Sequence, residues 1–117
     1  MANAKNPDLA IEPERLAAWL VEDPELQVID VREQYEREAG HIAGTRHIEL
    51  NKLSAEAASL DAQRPVVFYC RVGARSTMAA QALRASGFEA HSMAGGLLRW
   101  AQEQRPLAPD GGHVADH

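Results

Sequence analysis

The stretch Val66-Val67-Phe68-Tyr69-Cys70-Arg71-Val72-Gly73-Ala74-Arg75-Ser76-Thr77 decides how this chain folds and where its chemistry lies. Residues 66–69 are all β-branched or aromatic, which is typical of a strand buried on both faces. Ser76 and Thr77 open a helical pattern that continues to residue 86, where Gly87 ends it. The single cysteine, Cys70, therefore lies between the end of a strand and the start of a helix.

This position favours a negatively charged sulfur atom. The first turn of a helix has unpaired backbone N–H groups and a partial positive charge, both of which stabilise an anion. Arg71 and Arg75 add two cations, and no acidic residue lies between Asp61 and Glu89. The sequence thus predicts a cationic loop that stabilises the thiolate, the reactive form of cysteine. A cysteine that merely fills the core is the alternative, but such a residue does not require a basic, flexible loop after it.

Strand and helix patterns alternate along the rest of the chain. The strands are predicted at residues 26–31 and 66–69, with weaker candidates at 9–11, 47–50 and 89–93. The helices are predicted at residues 13–20, 54–60, 76–86 and 96–104. This alternation predicts an α/β fold with a central, mostly parallel sheet of about five strands and helices on both faces.

Length and composition restrict the class of protein. A chain of 117 residues forms one domain with its own core. Its net charge of −5 argues against a nucleic-acid groove, and no apolar run is long enough to span a bilayer. The first residues lack a secretory signal and one cysteine cannot form an internal disulfide, so we expect a monomeric cytoplasmic protein without nucleic-acid or membrane partners.

The ends of the chain differ in composition from its middle. Residues 1–8 are expected to form an N-terminal extension, residues 9–104 the domain, and residues 105–117 a flexible C-terminal tail. The tail contains two Pro and two Gly residues within a short distance, which is typical of a loose segment.

Four segments, taken together and in order, resemble a single-domain rhodanese, a member of the rhodanese homology family of sulfurtransferases. The likeness covers about residues 9–104. The segments are Val28-Ile29-Asp30-Val31-Arg32-Glu33 with Tyr35-Glu36, then Gly40-His41-Ile42-Ala43-Gly44, then the Cys70 loop, then Gly95-Gly96 with Trp100. Departures occur at Ala43, where proline is common, and at Thr45-Arg46-His47, which replaces a more apolar run.

The resemblance implies that Cys70 takes a sulfane sulfur from a donor such as thiosulfate, forms a persulfide, and passes the outer sulfur to a thiophilic acceptor. It also implies that the loop backbone of Arg71, Val72, Gly73, Ala74, Arg75 and Ser76 forms a cradle for the sulfur anion. The two arginines would attract and orient the donor. The acceptor is cyanide, a small thiol or a protein, and these alternatives stay open.

Two further residues are candidates for supporting roles. Asp30 and Arg32 fall at the end of the strand predicted beside the Cys70 strand, where ligand-facing residues of open α/β sheets lie. Asp30 would hold the catalytic loop by accepting hydrogen bonds, and Arg32 would pair with Glu36 or another carboxylate. An ordinary strand-end salt bridge is the alternative.

The histidines are not expected to take part in the chemistry. A thiolate held by loop dipoles needs no general base, so His41 is interpreted as a structural residue. His113 and His117 have the spacing of metal ligands on a helix, but the preceding Gly111 and Gly112 make a helix there unfavourable. We therefore predict no metal and no cofactor.

Two other functions compete with sulfur transfer. Phosphatases and arsenate reductases of similar pattern have five residues between the Cys and the Arg, whereas this chain has four between Cys70 and Arg75. A non-catalytic binding module of the same fold is the second alternative, although inactive relatives typically lose the cysteine. The acidic residues Glu33, Glu36 and Glu38 could face a basic partner, or could simply be solvated.

Overall fold

Strands and helices alternate in the computed structural model, which describes residues 8–116. Except for Asp8, the predicted N-terminal extension lies outside the described residues, as does His117. The elements in chain order are β1 (Ala10–Ile11), α1 (Pro13–Glu22), β2 (Gln27–Asp30), α2 (Gln34–Ala39), β3 (Arg46–His47), α3 (Leu53–Glu56), β4 (Val66–Tyr69), α4 (Ala74–Ala85), β5 (Ala90–Met93) and α5 (Gly96–Gln102). None of these helices is long and apolar enough to cross a membrane.

All five strands form one parallel sheet in the order β1-β5-β4-β2-β3. Strand β4 lies at its centre, and all four of its residues are buried. A continuous apolar run is required there because helices cover both faces of a parallel sheet. The predicted α/β architecture with a parallel five-stranded sheet is confirmed.

The two faces of the sheet carry separate hydrophobic clusters. Leu53, Ala79 and Leu83 bring α3 and α4 onto one face, in the cluster that contains Cys70. Leu16, Leu97 and Trp100 bring α1 and α5 onto the other face. Since the carboxyl ends of parallel strands share one edge, residues that follow β2 and β4 come together there.

Helix α2 was not predicted from the sequence. Its segment Gln-Tyr-Glu-Arg-Glu-Ala has no apolar periodicity, and the buried residue on it is a charged one, Glu36. Glu36 also starts the helix, because its side chain accepts a hydrogen bond from the Glu33 backbone N–H at 3.0 Å and so caps the first turn.

Other elements differ from prediction in extent. Helix α4 begins at Ala74, two residues before the predicted start at Ser76. The helix expected over residues 54–60 is divided into α3 and a 3₁₀ turn, Ala57–Ser59, and another 3₁₀ turn, Leu50–Lys52, precedes it. The strand expected over residues 47–50 is confined to β3, because the chain turns into the first 3₁₀ helix at Leu50.

The described part of the C-terminal segment lies against the domain. Leu107 and Val114 pack on the cluster around α1 and α5. Ala108 exchanges two backbone hydrogen bonds with His41, and the Trp100 indole donates one to the Pro106 carbonyl at 2.8 Å. These apolar contacts account for the placement of the segment. Its Pro and Gly content did not indicate them. The predicted flexibility of residues 105–117 stays a prediction.

Gly40 provides a test of how firmly this segment is held. A Cβ atom at this position would lie 2.5 Å from the His113 carbonyl oxygen and 2.7 Å from its nitrogen. Gly40 has an extended backbone that any residue adopts, so space alone excludes a side chain. We expect Gly40→Ala to lower the free energy of unfolding by about 1–3 kcal/mol, as overpacking usually does.

Chemical denaturation measures the stability loss, and amide exchange at His113, whose N–H donates to the Ala39 carbonyl, locates it. Faster exchange at His113 than elsewhere in the variant is the expected result. Unchanged stability and unchanged exchange would show that the C-terminal segment moves aside without cost.

Candidate active site

Cys70 lies at the carboxyl end of β4, at the bottom of a cavity. Its relative exposure is 1%, so a reactant reaches the sulfur only through this opening. The cavity has a volume of about 370 Å³ and is lined by Glu33, Tyr35, Glu36, Cys70, Val72, Ala74 and Arg75. The position between strand and helix that the sequence indicated is the one observed.

Two backbone N–H groups point at the sulfur. Those of Gly73 and Ser76 lie 3.1 Å and 3.4 Å from the Cys70 Sγ atom. Gly73 has a φ of +112°, which only glycine adopts readily, and this allows α4 to begin at once. The earlier helix start puts Ser76 in the first turn, where its N–H has no helical partner and is free to bind an anion.

Three hydroxyl groups form a chain behind the sulfur. Ser76 Oγ lies 3.5 Å from Cys70 Sγ and 2.7 Å from Ser92 Oγ, and Thr77 Oγ1 lies 3.3 Å from Ser92 Oγ. With a protonated Cys70, the thiol donates to Ser76 Oγ, and the Ser76 hydroxyl donates to the Gly73 carbonyl at 3.2 Å. With a thiolate at Cys70, the Ser76 hydroxyl can instead turn to donate to the sulfur, while Thr77 donates to Ser92 and Ser92 to Ser76. Each hydroxyl then polarises the next one, which strengthens the final hydrogen bond.

Ser92 was not predicted as a site residue. It lies in β5 and is buried, so its hydroxyl needs a partner inside the protein. The only signal in the sequence was a serine within the weaker strand candidate at residues 89–93. Its pairing with Ser76 depends on β5 lying beside β4, which no local pattern reveals.

The first turn of α5 holds the loop from the other side. The N–H groups of Leu97 and Leu98 donate to the carbonyl oxygens of Cys70 and Arg71 at 2.8 Å and 3.0 Å. A Cβ atom on Gly96 would overlap the carbonyl group of Arg71, so the close approach of the two backbones requires glycine. The Gly95-Gly96 turn therefore fixes the path of the Cys70 loop. The N–H groups of that loop then stay directed at the sulfur.

Each loop arginine has an acidic partner. Arg75 donates two hydrogen bonds to the Glu36 carboxylate, at 2.7 Å and 2.9 Å. This hydrogen bonding raises the pKa of Arg75 above its ordinary value. Arg71 donates to the Ala115 carbonyl at 3.2 Å and lies 3.3 Å from the Asp116 carboxylate.

The prediction of a cationic loop therefore needs correction. The sequence near Cys70 contains no acid, but α2 and the C-terminal segment bring Glu36 and Asp116 to the two arginines. Because both cations are paired, the backbone and hydroxyl dipoles at Sγ become the principal groups that stabilise a sulfur anion.

Glu36 is buried beside Arg75 and ionised. Burial alone would raise the pKa of Glu36, but the hydrogen bonds from Arg75 and from the Glu33 backbone, with the charges of Arg75 and Arg32, lower it below 4.5 overall. The sequence had suggested Glu36 as a partner of Arg32. In the structure, Glu36 pairs instead with Arg75, which lies 39 positions away along the chain.

Asp30 and Arg32 form a buried ion pair. Arg32 donates to both carboxylate oxygens of Asp30, at 2.8 Å and 2.7 Å, and also to the Gly40 carbonyl at 2.8 Å. Arg37 lies 3.5 Å from the same carboxylate. The strand-end salt bridge considered as an alternative does form, but both of its partners are fully buried rather than exposed at the surface. A pair of this kind is costly to break, because one charge would remain buried alone.

Tyr69 connects this pair to the strand that carries Cys70. Its hydroxyl lies 2.9 Å from Thr45 Oγ1 and accepts a hydrogen bond from the Ile42 N–H at 3.1 Å. Burial, with the charge of Asp30, raises the pKa of Tyr69 to about 12. Asp30 is the register partner of Tyr69 in the sheet, and the Arg32 guanidinium lies 5.7 Å from the centre of the Tyr69 ring, so the ion pair contacts β4. The predicted direct hold of Asp30 on the catalytic loop stays a prediction.

The structure also places the His41 side chain, for which the sequence predicted a structural role. The His41 ring lies 3.0 Å from the Arg37 carbonyl oxygen, and His41 is not among the residues that line the Cys70 cavity. Within residues 8–116 no three His, Cys, Asp or Glu side chains are grouped so that they could hold a metal ion.

The hydroxyl chain predicts how readily Cys70 reacts. We expect Ser76→Ala to slow alkylation of Cys70 by iodoacetamide about tenfold at neutral pH, since a hydrogen bond to a charged group is lost. Ser92→Ala should slow it about threefold, because it acts only through Ser76. Stopped reactions analysed by intact mass give the rates, and Cys70 is the only cysteine to be modified.

Ser92→Thr, which keeps the hydroxyl, should restore much of the rate. Ser86→Ala is the control, since the Ser86 hydroxyl bonds to the exposed Ala82 carbonyl of α4 instead. A rate for Ser92→Ala equal to that of the Ser86→Ala control would exclude the relay.

The Glu36–Arg75 pair predicts an acid-sensitive stability. Because the pKa of Glu36 is lower in the folded protein than its ordinary 4.5, the stabilisation is complete above that value and is lost as pH falls through the folded pKa. Between about pH 5 and about pH 3, the unfolding free energy of the wild type should fall more steeply than that of Glu36→Gln. Denaturation curves across this range measure both slopes.

Glu38→Gln, on the exposed side of the same helix, is the matched control and should keep the wild-type slope. Equal slopes for Glu36→Gln and the wild type would mean that the pair contributes nothing to folding.

Known proteins are similar to this chain in sequence and in architecture. The family model described as the Rhodanese-like domain matches residues 12–103. YqhL of Bacillus subtilis, named as uncharacterised, is 43% identical over 75 residues, which cover 63% of this chain and 60% of YqhL. Thiosulfate sulfurtransferase GlpE of Coxiella burnetii is 38% identical over 87 residues, which cover 73% of this chain and 81% of GlpE.

A solved structure agrees with these matches. The crystal structure of a rhodanese-related protein from Thermoplasma volcanium superposes with a TM-score of 0.77 and 26% identity, over 85% of this chain and 96% of that one. The family model spans most of the domain, including both the Cys70 loop and the Gly95-Gly96 turn that supports it. This chain therefore belongs to the rhodanese-like domain family, which includes proteins named as sulfurtransferases.

Proposed function

We propose that this protein is a sulfurtransferase that loads a sulfane sulfur onto Cys70 and delivers it to a thiophilic acceptor. The donor is thiosulfate or a persulfide, and the acceptor is cyanide, a thiol or a partner protein. The observation that carries the proposal is the pair of backbone N–H groups, of Gly73 and Ser76, that donate to Sγ, with the Ser76 hydroxyl 3.5 Å from the same sulfur.

The first half of the reaction follows from a stabilised thiolate. Cys70 Sγ attacks the sulfane sulfur of thiosulfate and forms a new S–S bond. The bond between that sulfur and the sulfonate group breaks, and sulfite leaves with the electron pair. The two negative charges of thiosulfate leave with sulfite, so the persulfide anion on Cys70 carries the single charge that the thiolate had.

The second half regenerates the cysteine. An acceptor nucleophile attacks the outer sulfur, the Sγ–S bond breaks, and its electron pair returns to Sγ. The same N–H groups that stabilised the thiolate now stabilise it as a leaving group. Since the electrons balance between donor and acceptor, the proposed cycle uses no cofactor and has ping-pong kinetics.

The proposed roles of the two arginines are less direct than the sequence suggested. Arg75 pairs with Glu36 and so keeps α2 against the loop. The Arg75 side chain also lines the cavity, and a sulfur donor would contact its charge there. Arg71 is paired with Asp116, whose side chain is 95% exposed, and a donor dianion can replace that carboxylate. We also propose the cytoplasm as the site of action, because a single reactive thiol is best preserved in a reducing compartment.

Intact-mass spectrometry tests this proposal. After incubation with thiosulfate, we expect the mass of the protein to rise by one sulfur atom and to return when cyanide is added. Cys70→Ser should show no gain in mass and should lower sulfur transfer at least about a thousandfold, as loss of a nucleophile does. The Ser86→Ala variant is the control and should load like the wild type.

Different results would redirect the assignment. A mass gain with a small-molecule persulfide but not with thiosulfate would restrict the donor to persulfides. No gain with either donor, or undiminished turnover in Cys70→Ser, would refute the proposal and favour a binding module of the same fold.

A further inference from the structure

The opening above Cys70 has an apolar rim. In the described part of the chain, the exposed large hydrophobic residues are Val21, Tyr35, Val72 and Met78. Tyr35 and Val72, 47% and 46% exposed, line the Cys70 cavity itself, and Met78 lies one helical turn beyond Ala74, which also lines it. Isolated exposed apolar residues such as Val21 on α1 are common, but Tyr35 and Val72 both lie at the entrance to the nucleophile.

Acidic residues extend from this rim. A second hollow of about 560 Å³ shares Glu33 and Arg75 with the Cys70 cavity and is also lined by Glu49, Leu50 and Asn51. Arg75 is already paired with Glu36. Within residues 8–116 no cation pairs with Glu33, whose carboxylate accepts the backbone N–H of Glu36 at the start of α2. Glu49 accepts a hydrogen bond from the Gln34 N–H at 3.1 Å and lies 3.5 Å from the exposed Lys52. The surface beside the opening therefore presents carboxylates that a cationic partner can bind.

We propose that the acceptor for the Cys70 sulfur is a protein thiol on a cationic segment, with an apolar residue next to the acceptor cysteine. This inference rests on the proposed sulfurtransferase function and names its acceptor. The sulfur of Cys70 lies below the surface, so an acceptor cysteine must enter the cavity and bring its neighbours onto the rim. Its apolar neighbour then contacts Tyr35 and Val72, and its lysine or arginine residues face Glu33 and Glu49.

The transfer step is balanced within the two proteins. The acceptor thiolate forms a bond to the outer sulfur of the Cys70 persulfide, and the bond from that sulfur to Sγ breaks. Cys70 returns to the thiolate, and the acceptor leaves as a persulfide. The number of S–S bonds is unchanged, so the step needs no oxidant or reductant.

Synthetic peptides test the acceptor preference. The full-length protein is loaded with thiosulfate and desalted. It is then mixed with one of two peptides that have a single cysteine beside a leucine, flanked either by lysines or by glutamates. The rate at which the protein loses the sulfur atom is followed by intact mass. At low ionic strength we expect the lysine peptide to discharge the persulfide at least about tenfold faster, and we expect salt to reduce this ratio.

The two peptides also differ in the intrinsic reactivity of their cysteine thiols. This difference is the same for every protein variant, so a change in the lysine-to-glutamate rate ratio between variants reports recognition alone. Glu33→Gln combined with Glu49→Gln should lower the lysine-to-glutamate ratio at least about threefold. Glu14→Gln combined with Glu22→Gln is the matched control, since it removes two exposed carboxylates from α1 and changes the net charge equally. This control should keep the wild-type ratio. A third peptide, with serine in place of leucine beside the cysteine, should react more slowly with the wild type.

The outcomes distinguish this inference from the function on which it rests. Cyanide discharge without any peptide preference, or a ratio equally affected in both double variants, would overturn the cationic acceptor and leave the sulfurtransferase intact. Faster discharge by the glutamate peptide would also overturn it. If neither cyanide nor any peptide removes the sulfur, both proposals fail. A preference for the lysine peptide that only the Glu33 and Glu49 variant reduces would support the inference.

Discussion

The rest of this site depends on a turn of four residues, 70–73, between a buried strand and a helix. Cys70 directly follows β4, and Gly73 adopts a left-handed conformation that lets α4 begin at Ala74. The N–H groups of Gly73 and Ser76 then point at the sulfur that precedes them. A side chain at Gly73 would strain this turn, and a longer connection would move the helix away from Sγ. The reactivity of the cysteine is thus a property of backbone geometry.

This geometry is held by contacts from elements that are distant in sequence. The first turn of α5 binds the carbonyl groups of Cys70 and Arg71, and Ser92 of β5 binds the hydroxyl of Ser76. These two contacts act on opposite sides of the loop. Together they leave the loop little freedom to turn its N–H groups toward solvent, so the site is preorganised before any sulfur is bound.

The sequence predicted the centre of the structure better than its periphery, for a physical reason. Strands β2 and β4 and helix α4 are defined by local apolar patterns, because each is buried by its immediate neighbours. Helix α2 was missed because its buried residue, Glu36, is stabilised by Arg75 rather than by a hydrophobic face. The Pro and Gly residues of the C-terminal segment predicted a flexible tail, which stays a prediction, and they did not indicate that Leu107 and Val114 pack against the domain. In both cases the stabilising partner lies far away along the chain.

The charges around the site also depend on residues that are distant in sequence. The sequence window around Cys70 contains arginines and no acids, but Glu36 and Asp116 pair with those arginines in the fold. Stabilisation of the sulfur anion then comes mainly from short-range dipoles, which salt screens less than it screens exposed charges. In the proposed ping-pong cycle, dipoles at Sγ act on the thiolate in both halves, whereas a strong cationic field at the opening would favour an anionic donor and retard a cationic acceptor. With the arginines paired, the proposed anionic donor and the proposed cationic acceptor can use one opening in turn.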